Sequence, residues 1–144
     1  MAHARRRLLD EVKSLLTNLV TTGTRVFEDP ASAVSDDSLP ALIIEANDEE
    51  VSPLGEYSFG DEGYRQLRRL SVSVTSIAKS ASQRDQSALE VEEALMRSDI
   101  GDMRELERSS FDSTADGNYR LWSSALAFRL TYQTESKYPR VAVR

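Results

Sequence analysis

Between Arg5 and Val20 the apolar positions Leu8, Leu9, Val12, Leu15, Leu16, Leu19 and Val20 return every three or four residues, the spacing that gathers side chains on one face of an α-helix. Gly23 follows as a stop, and Thr24 to Phe27 reads as a short strand. Arg5, Arg6 and Arg7 crowd the first turn of the predicted helix. The helix dipole disfavours positive charge there by about a few tenths of a kcal/mol per residue, unless carboxylates answer it.

Asp29 to Ser38 is polar, contains Pro30 and predicts a loop. The apolar run Leu39, Pro40, Ala41, Leu42, Ile43 and Ile44 predicts a buried strand, short and β-branched enough to prefer extension. From Asn47 to Gly63 the chain is acidic and interrupted by Pro53, Gly55, Gly60 and Gly63, which predicts a long loop with no regular element. Leu70, Val72 and Val74 then alternate with Ser71, Ser73 and Thr75 as a half-buried strand, with Arg65, Arg68 and Arg69 at its entrance.

Helical spacing returns from Ser82 to Ser98 at Ala88, Leu89, Val91, Leu95 and Met96. Ser82 with Asp85 resembles a capping pair, and Gly101 ends the segment. Arg104 to Phe111 is a polar strand candidate, followed by a turn at Asp116, Gly117 and Asn118. In the last strand Trp122, Leu126, Phe128, Leu130 and Tyr132 share one parity and so face the core together. Two apolar helix faces need one surface to cover. The expected fold is therefore α+β: a mostly antiparallel sheet of four to five strands with two amphipathic helices packed on one face.

At 144 residues, the chain has the size of one domain, 1–144. Hydrophobic residues at 40% and charged residues at 29% fit a globular core rather than a disordered chain. No apolar run approaches the ~18 residues of a membrane span, and the opening residues do not resemble a signal peptide, so a soluble intracellular protein without membrane contact is expected. The absence of cysteine removes disulfides, thiolate nucleophiles and thiolate metal sites.

The net charge of −6 is the opposite of a nucleic-acid-binding footprint. It is also unevenly spread. The eleven acids from Glu28 to Glu62 have no Lys or Arg among them, which leaves the rest of the chain net basic. Such a split favours association with further copies or with a partner of opposite pattern, although a solvated acidic loop would show the same run.

Little in the sequence supports catalysis. The lone histidine, His3, sits near a terminus, so a Ser-His-Asp triad, an imidazole shuttle and a His-rich metal site lack their central residue. Asp36 with Asp37, or Asp48 with Glu49 and Glu50, offer oxygen ligands for Mg²⁺ or Ca²⁺, but neither group has the spacing of an EF-hand. A phosphate over Gly60 to Gly63 would be repelled by Asp61 and Glu62. No catalytic, cofactor-binding or metal-binding residue is expected.

Taken in order, an amphipathic first helix, Gly-x-x-Val-Phe at Gly23 to Phe27, Leu-Pro-Ala-Leu-x-Ile at Leu39 to Ile44, an acidic stretch, and Leu-x-Val-x-Val at Leu70 to Val74 precede Val-Glu-x-Ala-Leu at Val91 to Leu95. Ala-x-x-Phe-x-Leu-x-Tyr at Ala125 to Tyr132 closes the series. This succession resembles the tail terminator proteins of long-tailed bacteriophages, the lambda-type minor tail protein U group, across nearly the whole chain. The resemblance implies a homo-hexameric ring in the tail and neck of a virion, assembled in the host cytoplasm. Such a ring ends tail-tube polymerisation, meets the tube protein on one side and the head-tail connector protein on the other, and lets DNA pass without binding it specifically. It implies no cofactor and no reaction.

On that reading the candidate interface residues are Arg5, Arg6, Arg7, Arg65, Arg68 and Arg69 on a basic stripe, meeting Asp48, Glu49, Glu50, Asp61 and Glu62 of the next copy. Three alternatives stand beside it: a tail-completion or head-closure neck protein, a regulatory or ligand-binding α+β module, and a carboxylate-metal enzyme.

Overall fold

The computed structural model describes residues 3–28, 38–54, 65–116, 119–135 and 142–143. In chain order the elements are α1 (Ala4–Leu16), β1 (Val26–Phe27), β2 (Ala41–Leu54), β3 (Arg65–Ala78), α2 (Ala81–Arg97), β4 (Met103–Asp116), β5 (Tyr119–Glu135) and β6 (Ala142–Val143). The strands form one sheet in the order β1-β2-β3-β5-β4, with β6 added to β5. Among the described residues only the β1–β2 pairing is parallel. The α+β class expected from the sequence is the observed one.

The core lies on one face of the sheet. Cross-strand register aligns Ile44 with Val74 and Leu126, Val72 with Phe128 and Leu106, and Leu70 with Leu130. Directly opposed residues share a face, so these rows form a continuous apolar surface. Both helices cover it: Leu8, Leu9, Val12 and Leu16 of α1 and Val91 and Leu95 of α2 are buried in the same cluster as Phe128, Leu130 and Tyr132. Each such large side chain contributes about 1.5–3 kcal/mol by leaving water. A smaller cluster of Leu39, Ala41 and Ile43, packed with Phe27, Ile77 and Leu121, gathers on the opposite face.

Several boundaries differ from the sequence reading. α1 stops at Leu16 instead of running to Val20. Thr17 folds its hydroxyl back onto the Lys13 carbonyl at 2.7 Å, and Asn18 takes a left-handed φ of 71°. A tight turn follows, closed by Asn18 N–H to Gly23 O and Gly23 N–H to Leu19 O, both 2.8 Å. Val20 stands at its tip, 96% exposed, although it keeps helical spacing with the core residues.

The cap of α2 is Ser80, whose hydroxyl accepts from Gln83 N–H at 3.2 Å, in place of the Ser82–Asp85 pair. Leu89 and Met96 are on its exposed side. The largest correction concerns Asn47 onward. Up to Leu54 this is not loop but the second half of β2, paired residue by residue with β3 back to Arg65. Asp48 and Glu50 are exposed there, and only Glu49 carries its charge inward, where Arg68 meets it. β4 likewise extends beyond the expected Arg104 to Phe111. The loop from Asp29 to Asp37, the stretch 55–64 and the turn residues Gly117 and Asn118 lie outside the described residues.

Gly101 turns the chain from α2 into β4. Its φ is +67°, and a Cβ there would come within 2.9 Å of the Thr131 carbonyl oxygen. The same oxygen accepts from Asp102 N–H at 2.7 Å, so it cannot retreat without breaking that bond. Gly23 also has a positive φ, of +57°, but a Cβ there would meet only the Arg25 guanidinium, at 3.9 Å. Gly101→Ala is expected to lose about 2–4 kcal/mol, against about 1–2 kcal/mol for Gly23→Ala, which carries only the left-handed cost. Urea unfolding of the two variants checks this, and equal losses would contradict the close approach.

Candidate functional site

A β-bulge decides which acids of β2 face where. Ala46 opposes Val72 and Asp48 opposes Ser71, so Asn47 is an extra residue. Strict alternation after Ile44 and Ala46 would have turned Asp48 and Glu50 toward the helices. The bulge turns Glu49, opposite Leu70, inward instead and leaves Asp48 and Glu50 on the other face. Asn47 itself donates to Ser73 Oγ at 3.2 Å.

Glu49 enters a polar cluster at the end of the core. Its Oε1 accepts from Arg68 Nη1 at 2.7 Å and from Arg5 Nη1 at 3.4 Å, while Oε2 accepts from Tyr132 Oη at 2.5 Å. Arg68 donates further to Thr134 Oγ1 at 2.7 Å and Gln66 Oε1 at 3.2 Å. The side chains of Glu49 and Arg68 are only 7% and 11% exposed. Withdrawing both charges from water is costly, and this set of hydrogen bonds is what offsets it. The cluster ties β2, β3, β5 and the start of α1 together. With both carboxylate oxygens engaged, Glu49 is committed to holding these elements.

Two titratable neighbours register the same field. Burial, then the hydrogen bond to the Glu49 carboxylate, pushes the Tyr132 phenol up, so it remains a donor. His3 is held below the ordinary imidazole range by burial and by the Arg68 and Arg5 cations, against the opposing pull of Glu49. Neutral His3 is the N-cap of α1: its Nδ1 accepts from Arg5 N–H at 3.0 Å.

The three N-terminal arginines meet different ends. Arg5 reaches Glu49. Arg6 pairs with Asp10 at 2.9 Å and with Glu28, and these carboxylates, Glu28 first, push its guanidinium up. They supply the answering charge that the helix dipole requires. Arg7 is exposed and has no ion-pair partner among the described residues. Arg65 is exposed opposite Leu54 and Glu135, and Arg69 lies half-buried between Glu50 and Thr131 in the register. Asp48 accepts from Glu49 N–H at 2.8 Å and is otherwise open, as is Glu50. Asp61 and Glu62 lie outside the described residues, as do Asp36, Asp37, Gly60 and Gly63.

Other functional side chains gave no signal in the sequence. Glu90 anchors the turn after α1, accepting from Thr21 N–H at 2.9 Å and Thr21 Oγ1 at 2.6 Å. Burial would raise this carboxyl, but the Thr21 and Gln86 hydrogen bonds outweigh it and hold it below its usual value. Trp122, read as core from its parity, is half-buried, and Arg84 lies 5.3 Å from both its ring and that of Phe111.

The sheet face away from the helices is broad and low. Ser71, Ser73, Thr75, Ala125 and Ala127 are half-buried across its centre, and neither α1 nor α2 covers it. Asp48, Glu50, Arg69 and the Arg129–Glu107 pair at 3.1 Å give it a border of both signs. Among the described residues no three potential metal ligands cluster, and no helix is long and apolar enough to cross a membrane.

Replacing Glu49 by Leu is expected to strand Arg68 in the interior, and Arg68→Met to strand Glu49, each at about 3–5 kcal/mol. The double variant is expected to cost well under the sum, as a double-mutant cycle in urea will show; additive losses would contradict the pairing. His3 gives a pH prediction. Because its folded value lies below the unfolded one, its stabilising contribution is present above the unfolded value near 6.5 and is lost as pH falls below it. His3→Asn keeps a capping acceptor that does not titrate, so its stability relative to wild type is expected to improve from pH 7.5 to pH 5.5; an unchanged difference would contradict the cap.

No protein-family model matches the chain, and no curated protein matches it. Among solved structures it is similar to a chain described as belonging to the "Virion of native gene transfer agent (GTA) particle", at 17% identity and a TM-score of 0.42, over 91% of this chain and 92% of that one.

Proposed function

We propose that this protein is a structural component of a phage-like virion that caps the tail tube as a homo-hexameric ring, ending tube polymerisation and forming the surface that joins the tail to the head. The observation that carries the reading is the division of the sheet into two unlike faces. One is covered by α1 and α2 around Phe128, and the other, beyond the Leu39, Ala41 and Ile43 cluster, is left uncovered by the helices, lined by small side chains and bordered by Asp48, Glu50, Arg69 and Arg129. A low surface with mixed border charge suits packing against another protein, where shape and charge pattern set the partner. The order of elements along the chain supports the same reading, since it is the order that the resemblance to tail terminators implies.

Ring closure on this proposal is a head-to-tail contact repeated by rotation. Arg68, Arg5, Arg6 and Glu49 are engaged within their own chain, so the contact passes to Arg7, Arg65 and Arg69 on one copy and to Asp48, Glu50, Asp61 and Glu62 on the next. A ring of chains each carrying a charge of −6 repels DNA from its wall, which suits a conduit rather than a binding site. The remaining partners are the tube protein below and the connector protein above, and the place of action is the virion neck, after assembly in the host cytoplasm.

Purified protein added to polymerising tail tubes separates this from the tail-completion or head-closure reading, because only a terminator fixes tube length. Wild-type protein is expected to give tubes of one length by electron microscopy. Arg65→Glu with Arg69→Glu is expected to leave the fold intact and to reduce capping at least tenfold at ordinary salt. Tubes that outgrow the wild-type protein would overturn the capping role, and full capping by the doubly reversed variant would remove those arginines from the contact.

A further inference from the structure

β4 is an outermost strand of the sheet, and among the described residues nothing pairs with its side away from β5. From Arg108 to Asp116 it runs alongside β5 without a register shift, after a bulge at Glu107. Residues 107–112 are all exposed, and Phe111 is 72% exposed. A long unpaired edge with a protruding aromatic is what natural sheets ordinarily avoid or use.

We propose that this edge is a two-fold contact with a second copy of the chain, formed by antiparallel pairing of β4 with β4 about Ser110. In that register Arg108 of each copy opposes Asp112 of the other, giving two cross-strand ion pairs. Arg108 and Asp112 lie opposite Ala127 and Ser123, so both point away from the helices and meet on one face. Asp112 uses Oδ1 to accept from its neighbour Ser113 N–H at 2.7 Å and keeps its second oxygen for the partner. On the helix side Phe111 opposes Ser109 of the other copy, which sets the two Phe111 rings diagonally, about 7–8 Å apart by backbone spacing and within reach of each other. Each ring keeps the Arg84 guanidinium of its own chain on its face.

The charge pattern selects this register over its neighbours. Centring the pair on Arg108 or on Asp112 sets like charges face to face, and centring it on Ser109 or Phe111 leaves both charges unanswered. The bulge at Glu107 limits the flat run and so discourages longer, unspecific pairing. A two-fold contact does not close a ring, and it uses none of the residues assigned above to ring closure. It joins two isolated chains, or two rings face to face.

Sedimentation of the purified protein across a range of concentrations tests the contact. Wild type is expected to double in mass as concentration rises. Arg108→Asp places two Asp–Asp oppositions in the interface and Asp112→Arg two Arg–Arg ones, so each is expected to weaken doubling at least tenfold. The charge-swapped Arg108→Asp/Asp112→Arg protein re-forms both pairs with the signs exchanged, and is expected to return to within about threefold of wild type. Both positions are exposed surface sites, and melting curves confirm that the variants fold. Failure of wild type to double, or failure of the swap to restore doubling, would overturn the proposal while leaving tube capping to its own assay.

Discussion

One ion pair organises this molecule: Glu49 and Arg68, set 2.7 Å apart where the apolar core ends. A carboxylate and a guanidinium in so little water require partners on every side, and the fold supplies them from three elements. Arg5 arrives from the first turn of α1, Tyr132 and Thr134 from β5, and Gln66 from β3. The extra residue at Asn47 follows from the same demand, because without the bulge Glu49 would face away from Arg68. The bulge then fixes the outward direction of Asp48 and Glu50. One internal pairing thereby settles which charges are consumed inside the chain and which remain for other molecules.

The two faces of the sheet divide along the same line. Toward the helices, Leu, Val and Phe side chains are buried together, and Glu49, Arg68, Tyr132 and Thr134 hydrogen-bond to one another at the end of that core. On the other face, serines, threonines and alanines leave backbone and short polar groups near the surface, and charge gathers at the margin. The larger core lies on the helix side, and the opposite face holds only the smaller cluster of Leu39, Ala41 and Ile43. The rest of that face is the surface proposed above for contact with another protein, and among the described residues the outer edge of β4 is a second place without a strand partner.

The sequence was most legible where burial and periodicity agree. In β5 every second residue from Leu126 to Tyr132 is buried, and in α1 Leu8, Leu9, Val12 and Leu16 line one face, so pattern alone located both elements. It misled where charge and structure part company. The acids after Asn47 carry the composition of a loop, yet the ladder with β3 accommodates them as strand, with Asp48 and Glu50 on the exposed face and Glu49 paired with Arg68. Val20 keeps helical spacing but follows Asn18, whose left-handed backbone had already ended the helix. For the site, the arginines and acids were found as residue types, while their sorting was not. Which of them pair within the chain depends on a bulge and on the reach of Arg68 from β3 to Thr134 on β5, and neither leaves a mark in one sequence.

On the function proposed above, the sheet face away from the helices is buried against another protein when this chain assembles. The chain has no cysteine, so single substitutions give unambiguous labelling sites. Ser73→Cys lies at the centre of that face and Ser14→Cys on the exposed side of α1. The decisive measurement is the rate of maleimide labelling of both, in free protein and on capped tail tubes. The account predicts that Ser73→Cys labels freely in isolation and becomes protected on the tube end, with Ser14→Cys far less affected. Equal labelling of Ser73→Cys in the two states would contradict it.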